Sequence, residues 1–289
     1  MPRIHNSLAC NPGRTSIFPM TSKPEILCES SSSGIGYIWL NRESKANAMG
    51  SEFFSLFPRL VEKMENDNRV RVIILGSTSR NFSTGIDLDV LNQLTAVQSS
   101  DGVEFINSKI KEFQAALSVL AQCEKPVIAA INGFCVGGGL DLASCADIRL
   151  CSRDAVFSIR ETRLGMIPDL GSIQRLARVL SRGQLSEIAL TGEDFSATKA
   201  LEIGLVNYLL EDKTKLMEQA NLLASRIAEN APSAIAGIKG TIANTLDIRL
   251  NEELDFVAKL NTRQLLSDEF RRYHKNYLSQ IQNKRDSIR

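Results

Sequence analysis

Among the acids between Gly133 and Arg175, three, Asp141, Glu161 and Asp169, stand out beside apolar and glycine residues after a glycine run, Gly137-Gly138-Gly139. Asp141 is flanked by Leu140 and Leu142, and Asp169 by Pro168 and Leu170. Taken singly, each acid has a plain structural role. Asp141 complements a helix dipole, Glu161 pairs with Arg160 or Arg163, and Asp169 caps a helix. Taken together in one apolar pocket, they repel one another and lose hydration. At least one pKa then rises, which leaves an acid and a base at neutral pH and points to proton transfer.

Two apolar runs, Val70–Leu75 and Pro126–Ile131, read as buried strands that each feed a glycine-containing loop, and the second loop opens a helix. Backbone N–H groups at a helix start lack intrahelical acceptors and favour negative charge. Ile86 N–H from the first loop and Gly138 N–H from the second can together hold a carbonyl oxygen as it becomes an enolate. Tight helix–strand packing is the competing use of the same glycines. The run reads GxxxGGG from Gly133, which is neither GxGxxG nor a Walker A loop, so a phosphate cradle has little support.

The chain of 289 residues has a formal net charge of +1, which gives no electrostatic reason to expect nucleic acid or an anionic membrane as partner. No apolar run approaches the roughly 20 residues of a membrane span. Six cysteines without a CxxC pair, several in apolar runs, read as buried thiols. With two histidines, one near each end, a His-based triad or a His-rich metal site is disfavoured. Residues 1–24 read as a tail: basic and serine-rich with no acid before Glu25, they fit a transit peptide, with a plain disordered tail as the alternative. The terminal Ser287-Ile288-Arg289 is not the SKL peroxisomal signal.

The elements that must position the acids follow from periodicity. Ile26–Glu29 and Gly36–Leu40 form a hairpin, and Ser51–Asn66 and Val103–Gln122 form helices. Asn81–Leu88 is a loop, and Ile148–Cys151 and Val156–Ile159 are short strands. Alternation along the latter turns Arg163 outward. Beyond Leu170 helices dominate, over 172–179, 183–190, 197–202, 213–230, 232–246 and 251–283, interrupted by a strand at 205–210. An α/β core at 25–210 with a helical C-terminal subdomain at 211–289 is expected.

The segments LNRESKANAM (40–49), FSTGIDL (82–88), KPVIAAINGFCVGGGLDLASCADIRL (125–150), FSIRETRLGMIPDLGSIQRL (157–176) and TGEDFSATKALEIGLVN (191–207) resemble the crotonase (enoyl-CoA hydratase/isomerase) superfamily. The resemblance covers roughly residues 26–283. It implies a crotonase-like spiral of ββα repeats, C-terminal helices that assemble a homotrimer or homohexamer, and an acyl-CoA thioester substrate with no separate cofactor. It places Ile86 and Gly138 in the oxyanion hole. It places Lys45, Ala46, Ala48, Thr84, Gly85, Asp87, Leu88, Gly137 and Gly139 against substrate, with Lys45 a candidate phosphate contact.

The acids then separate branches of the superfamily. Hydratases use two glutamates, at the positions of Asp141 and Glu161, and usually glycine where this chain has Asp169. The set Asp141, Glu161 and Asp169 resembles that of delta(3,5)-delta(2,4)-dienoyl-CoA isomerases. For such an isomerisation, two carboxyls at opposite ends of the diene suffice, and the expectation is Asp169 as base at C2, Glu161 as acid at C6, and Asp141 as the group that tunes Glu161 and holds the pocket. Met166-Ile167-Pro168 and Arg163 are less isomerase-like and keep a 2-enoyl-CoA hydratase as the alternative, with a non-catalytic acyl-CoA-binding protein as a third reading. A mitochondrial location is expected, with peroxisome or cytoplasm as alternatives.

Overall fold

The computed structural model describes residues 24–96, 102–246 and 249–286. Residues 1–23 of the tail expected at 1–24, and the terminal tripeptide, lie outside the described residues. The chain opens with the antiparallel hairpin β1 (Ile26–Ser30) and β2 (Ile35–Leu40), with Ile26 opposite Leu40. Helix α1 (Ser51–Asn66) buries Phe53, Phe54, Phe57, Val61 and Met64, one face at helical spacing. Next come β3 (Val72–Ser77), α2 (Leu88–Thr95) and α3 (Gly102–Gln122). Then β4 (Val127–Ile131), β5 (Phe134–Val136) and α4 (Gly138–Ser144) form one strand–strand–helix unit. A second begins with β6 (Ile148–Ser152) and β7 (Val156–Ser158) and reaches α5 (Ser172–Leu176). The chain continues through α6 (Arg182–Thr191), β8 (Phe195–Ser196), α7 (Ala197–Glu202) and β9 (Tyr208–Leu210). It ends in α8 (Lys213–Ala228), α9 (Pro232–Leu246), α10 (Leu250–Leu265) and α11 (Asp268–Asp286).

Each strand–strand–helix unit puts its first strand in one sheet and its second in another. The larger sheet has the order β1-β2-β3-β4-β6-β9, parallel from β2 onward, and the smaller is β5-β7-β8. Among the described residues, the unit begun by β3 is joined to the small sheet by one bridge, Ser83 to Cys135. The larger sheet is covered on both faces. Val72, Ile74, Ile128, Ala130 and Leu150 face Leu216, Ala220 and Ala224 of α8. Ile73, Leu75, Val127, Ala129 and Ile131 face the main core under α1 and α3. Burial on both sides is why these strands read as unbroken apolar runs instead of alternating ones. The boundary expected at 210 falls just ahead of α8, which shares this core with the sheet.

Several expected elements shift. The strand expected at 70–75 lies at 72–77, because Val70 belongs to the turn, its N–H bonded to Asp67 O at 2.8 Å. The expected 205–210 strand shortens to β9, and the expected 172–179 helix to α5. The loop expected through Leu88 instead starts α2, capped by Asp87, whose carboxylate accepts from Asp89 N–H at 3.1 Å. The single helix expected over 251–283 is two. Ser267 divides them, its Oγ accepting from Phe270 N–H at 3.1 Å to start α11. Among the described residues no helix is long and apolar enough to cross a membrane.

Candidate active site

Three loops are tied together at the C-terminal ends of β2, β3 and β4. Asn47 sits in the left-handed region at φ 56° and is buried. Its Nδ2 donates to Ser77 Oγ (2.8 Å), Ser79 Oγ (3.1 Å), Asn81 O (2.8 Å) and Phe82 O (3.0 Å), which clamps the 40–49 loop onto the loop after β3. Met49 N–H donates to Gly85 O at 2.7 Å and Asp87 N–H to Met49 O at 2.9 Å. Ser83 N–H donates to Phe134 O at 2.8 Å and Val136 N–H to Ser83 O at 3.1 Å, so the second loop is joined to β5.

Gly85 and Gly138 make a closer approach possible. A Cβ on Gly85, at φ +90°, would stand 3.1 Å from Gly138 N, and one on Gly138 would stand 3.4 Å from Ile86 N and 2.8 Å from Met49 Cε. Among the described residues, neither Ile86 N–H nor Gly138 N–H has a hydrogen-bond acceptor. Gly138 is the first residue of α4, where an unpaired N–H is the rule. Both residues line a cavity of about 660 Å³.

The acids occupy three positions around it. Glu161 lies on a 3-10 helix, Arg160–Leu164, rather than on a strand. Gly165, left-handed at φ 76°, ends that helix, and its N–H together with that of Met166 satisfies the carbonyls of Glu161 and Thr162. The Glu161 carboxyl faces Gly137, where a Cβ would lie 3.2 Å from Oε1, and its buried Oε2 has no hydrogen-bond partner. Burial first, and the nearby Asp141 second, push Glu161 up to about 8. Arg163 does face solvent, but from the 3-10 helix and not by strand alternation.

Asp169 precedes α5 without capping it, since Gly171 holds that position. Its Oδ2 accepts from Asn261 Nδ2 of α10 at 2.7 Å, and its backbone carbonyl accepts from Gln114 Nε2 of α3 at 2.7 Å. Depth in the protein raises Asp169 to about 7, against the Asn261 hydrogen bond, which lowers it. Asp141 is 1% exposed and lies outside the cavity wall, on α4. Its Oδ1 accepts from Ser172 N–H at 2.6 Å. Burial raises its pKa, while Ser172 and the buried Arg175 oppose that rise.

Of the residues singled out from sequence, Lys45, Ala46 and Ala48 line the cavity from the first loop. Thr84, Gly85, Ile86, Asp87 and Leu88 line it from the second, Gly137 and Gly138 from the glycine run, with Glu161 and Asp169. Gly139 does not reach it. A Cβ there would lie 2.6 Å from Ser83 O, so this glycine serves packing between α4 and the second loop. Asp87 is spent on Arg42 (2.6 Å) and on capping α2, and Lys45 lies 3.2 Å from Asp89 and 3.7 Å from Asp87. Sequence reasoning missed Asn261, Gln114 and Ser172. Asn261 had a signal, since it occupies the stripe of Leu254, Ala258 and Leu265 on α10, where a polar residue needs a partner. The wall also carries Leu91, Leu94, Ile110, Leu265 and Phe113, whose ring stacks on Phe54 at 3.9 Å, beside the polar Arg160, Asn261 and Tyr277.

The enoyl-CoA hydratase/isomerase family model matches residues 30–285. The chain belongs to this family. Among curated relatives of this family, the peroxisomal delta(3,5)-delta(2,4)-dienoyl-CoA isomerase of Arabidopsis thaliana is 38% identical over 251 residues, 85% of this chain and 90% of the relative. The mitochondrial enzyme of that name from Dictyostelium discoideum is 35% identical over 260 residues, 88% of this chain and 89% of the relative. The crystal structure of enoyl-CoA hydratase from Bacillus halodurans superposes with a TM-score of 0.80 at 24% identity, covering 88% of this chain and all of that one. The last likeness bears on the fold, which is that of the crotonase superfamily.

Proposed function

We propose that this protein isomerises 3,5-dienoyl-CoA to 2,4-dienoyl-CoA. The observation that carries the reading is the pairing of Glu161 and Asp169, two carboxyls with pKa values raised to about 8 and about 7, in one cavity with the unpaired N–H groups of Ile86 and Gly138. The names of the relatives support it.

In this mechanism the thioester oxygen accepts from Ile86 and Gly138 N–H. Asp169 takes the C2 proton, which the thioester and the diene acidify together. The resulting dienolate carries its charge on the held oxygen, where losing one such donor typically costs about 2.7–4 kcal/mol. Glu161, still protonated, delivers its proton to C6. One proton has entered Asp169 and one has left Glu161, so the site resets when a proton passes from the first to the second. Asp141 sets the electrostatic background from behind the wall. The apolar side chains of Leu91, Leu94, Ile110, Phe113 and Leu265 give the acyl chain a hydrophobic surface beside the two carboxyls. At the mouth, Lys45 would turn from its carboxylate partners toward a CoA phosphate.

Association of copies is part of the proposal. No residue of α9 is buried in the single chain, and Ile238, Ile242 and Leu246 form an outward stripe that supports a homotrimer or its stacked hexamer. An organelle location is supported by the relatives' names, which divide between peroxisome and mitochondrion; we favour the mitochondrion on the composition of residues 1–23.

The test is a spectroscopic assay with a 3,5-dienoyl-CoA beside a simple 2-enoyl-CoA. Growth of conjugated dienoyl-thioester absorbance, lost in Asp169→Asn, is the expected result. Loss of the 2-enoyl chromophore with no diene formed would move the protein to the hydratases, and silence on both with thioester binding retained would move it to a binding role.

A further inference from the structure

Among the three acids, Asp169 is the one held by a side chain from the C-terminal helices. Asn261 lies 92 residues further along the chain and is 3% exposed. Its Oδ1 accepts from Ile167 N–H at 2.8 Å, and its Nδ2 donates to Asp169 Oδ2 at 2.7 Å. A backbone N–H can only donate. The Ile167 contact therefore fixes which end of the amide is oxygen and turns the NH2 end to the carboxylate. From the other side Gln114 Nε2 bridges Asp169 O (2.7 Å) and Leu254 O (2.9 Å), tying the same loop to α3 and α10.

An amide NH2 aimed at a carboxyl oxygen favours the ionised form, because it can donate to it and cannot accept a proton from it. Glu161 has the opposite situation, with Oε2 buried and unpartnered. We propose that Asn261 is a positioning residue that selects which carboxyl of the site is ionised: its contact keeps Asp169 as the anion and leaves the proton on Glu161. This rests on the reading of Asp169 as the base. The charged groups around Asp169 are Asp141 from α4, Glu161 from the 3-10 helix, and Arg175 from α5, whose guanidinium is engaged by Leu170 O at 3.0 Å and Ser118 Oγ at 3.1 Å. Asp141 opposes ionisation of Asp169 and a protonated Glu161 does nothing to favour it, so the selection falls to the neutral amide donor.

The experiment is carboxyl-carbon NMR titration of labelled aspartate in the full-length protein, with Asp169→Asn to assign the resonance, alongside pH profiles of isomerisation. Asn261→Ala removes the donor. Asn261→Asp is isosteric, keeps the acceptor for Ile167 N–H, and replaces the donor with a like charge, so it separates ionisation from folding. The expected result is an Asp169 midpoint raised by about one unit in Asn261→Ala and further in Asn261→Asp. The acid limb of kcat/KM moves by the same amount, and the loss of rate is about tenfold at pH 6 and recovers toward pH 8. An unmoved midpoint, or a loss uniform across pH, would overturn the proposal and leave Asn261 a structural contact. A wild type silent toward the dienoyl thioester, with an Asp169 titration that still follows Asn261, would fault the isomerase reading while supporting the control of ionisation.

Discussion

Ser172 N–H donates to Asp141 Oδ1 at 2.6 Å across 31 residues of chain, and this fixes a carboxylate behind the cavity wall. Asp141 raises the pKa of both Glu161 and Asp169 without reaching substrate. Asp141→Asn keeps an acceptor for Ser172 and removes the charge. Both carboxyls then ionise at lower pH, so the whole bell of kcat/KM moves toward acid, with about tenfold lower rate at pH 8.5 for each unit moved. A pH–rate profile that shrinks without moving would refute this role.

The proposed mechanism requires the base to be ionised and the acid protonated. The profile therefore rises near pH 7, where Asp169 titrates, and falls near pH 8, where Glu161 does. Asp169→Asn and Glu161→Gln each remove one proton-transfer step and should cost about 10²–10⁴ in kcat, with thioester affinity nearly intact. Steady-state kinetics with parallel binding by calorimetry separate the two parameters. A large rise in Kd with unchanged kcat would contradict the assignment.

The buried acid also has a stability signature. Unfolded, Glu161 titrates near about 4.3; folded, it holds its proton up to about 8. Between those values the unfolded chain releases a proton that the folded one keeps, so the stability contribution is present below the lower value and is lost as pH rises toward the upper one. Glu161→Gln has no proton to lose. Its melting temperature should exceed that of the wild type at pH 8, and the gap should close toward pH 4. Calorimetric scans across that window check it, and a variant less stable at pH 8 than at pH 4 relative to wild type would reverse the sign.

Gly137 adopts φ 54° and ψ −129°, and a Cβ there would lie 3.2 Å from Glu161 Oε1. Gly137→Ala therefore strains the backbone by about 1–3 kcal/mol and displaces the acid at the same time. Stability should fall by that order in chemical denaturation. Proton delivery at C6 should slow more than proton removal at C2, read as continued deuterium exchange at C2 while diene formation drops.

Much of this was legible in the sequence because the signals are local. The β3 and β4 runs are apolar on both faces, and Gly85, Gly137 and Gly138 mark backbone that a Cβ would block. What sequence could not give depends on contacts across long separations. Glu161 was placed beyond a strand, yet a left-handed Gly165 coils its segment into a 3-10 helix. The helix α2 was hidden because its cap, Asp87, sits in a stretch whose glycine and polar residues read as a loop. Asn261 was hidden because its partners, Ile167 and Asp169, lie 94 and 92 residues away.

The exposed face of α9 gives the last prediction. Lys239 tethers the helix to the body, donating to Lys125 O at 3.0 Å and to Asp147 Oδ2 at 2.8 Å, and the adjoining stripe stays exposed. Ile238, Ile242 and Leu246, at spacings of four, are 58%, 55% and 48% exposed. Full burial of each such side chain is worth about 1.5–3 kcal/mol, so covering the stripe with other copies contributes a large share of an assembly's free energy. Ile238→Lys with Ile242→Lys places two charges in that face at little cost to a single chain, where both positions are already wet. Light scattering should show the mass fall from a trimer or hexamer to the 31.9 kDa single chain. A double variant that keeps the wild-type mass would exclude this stripe as the interface.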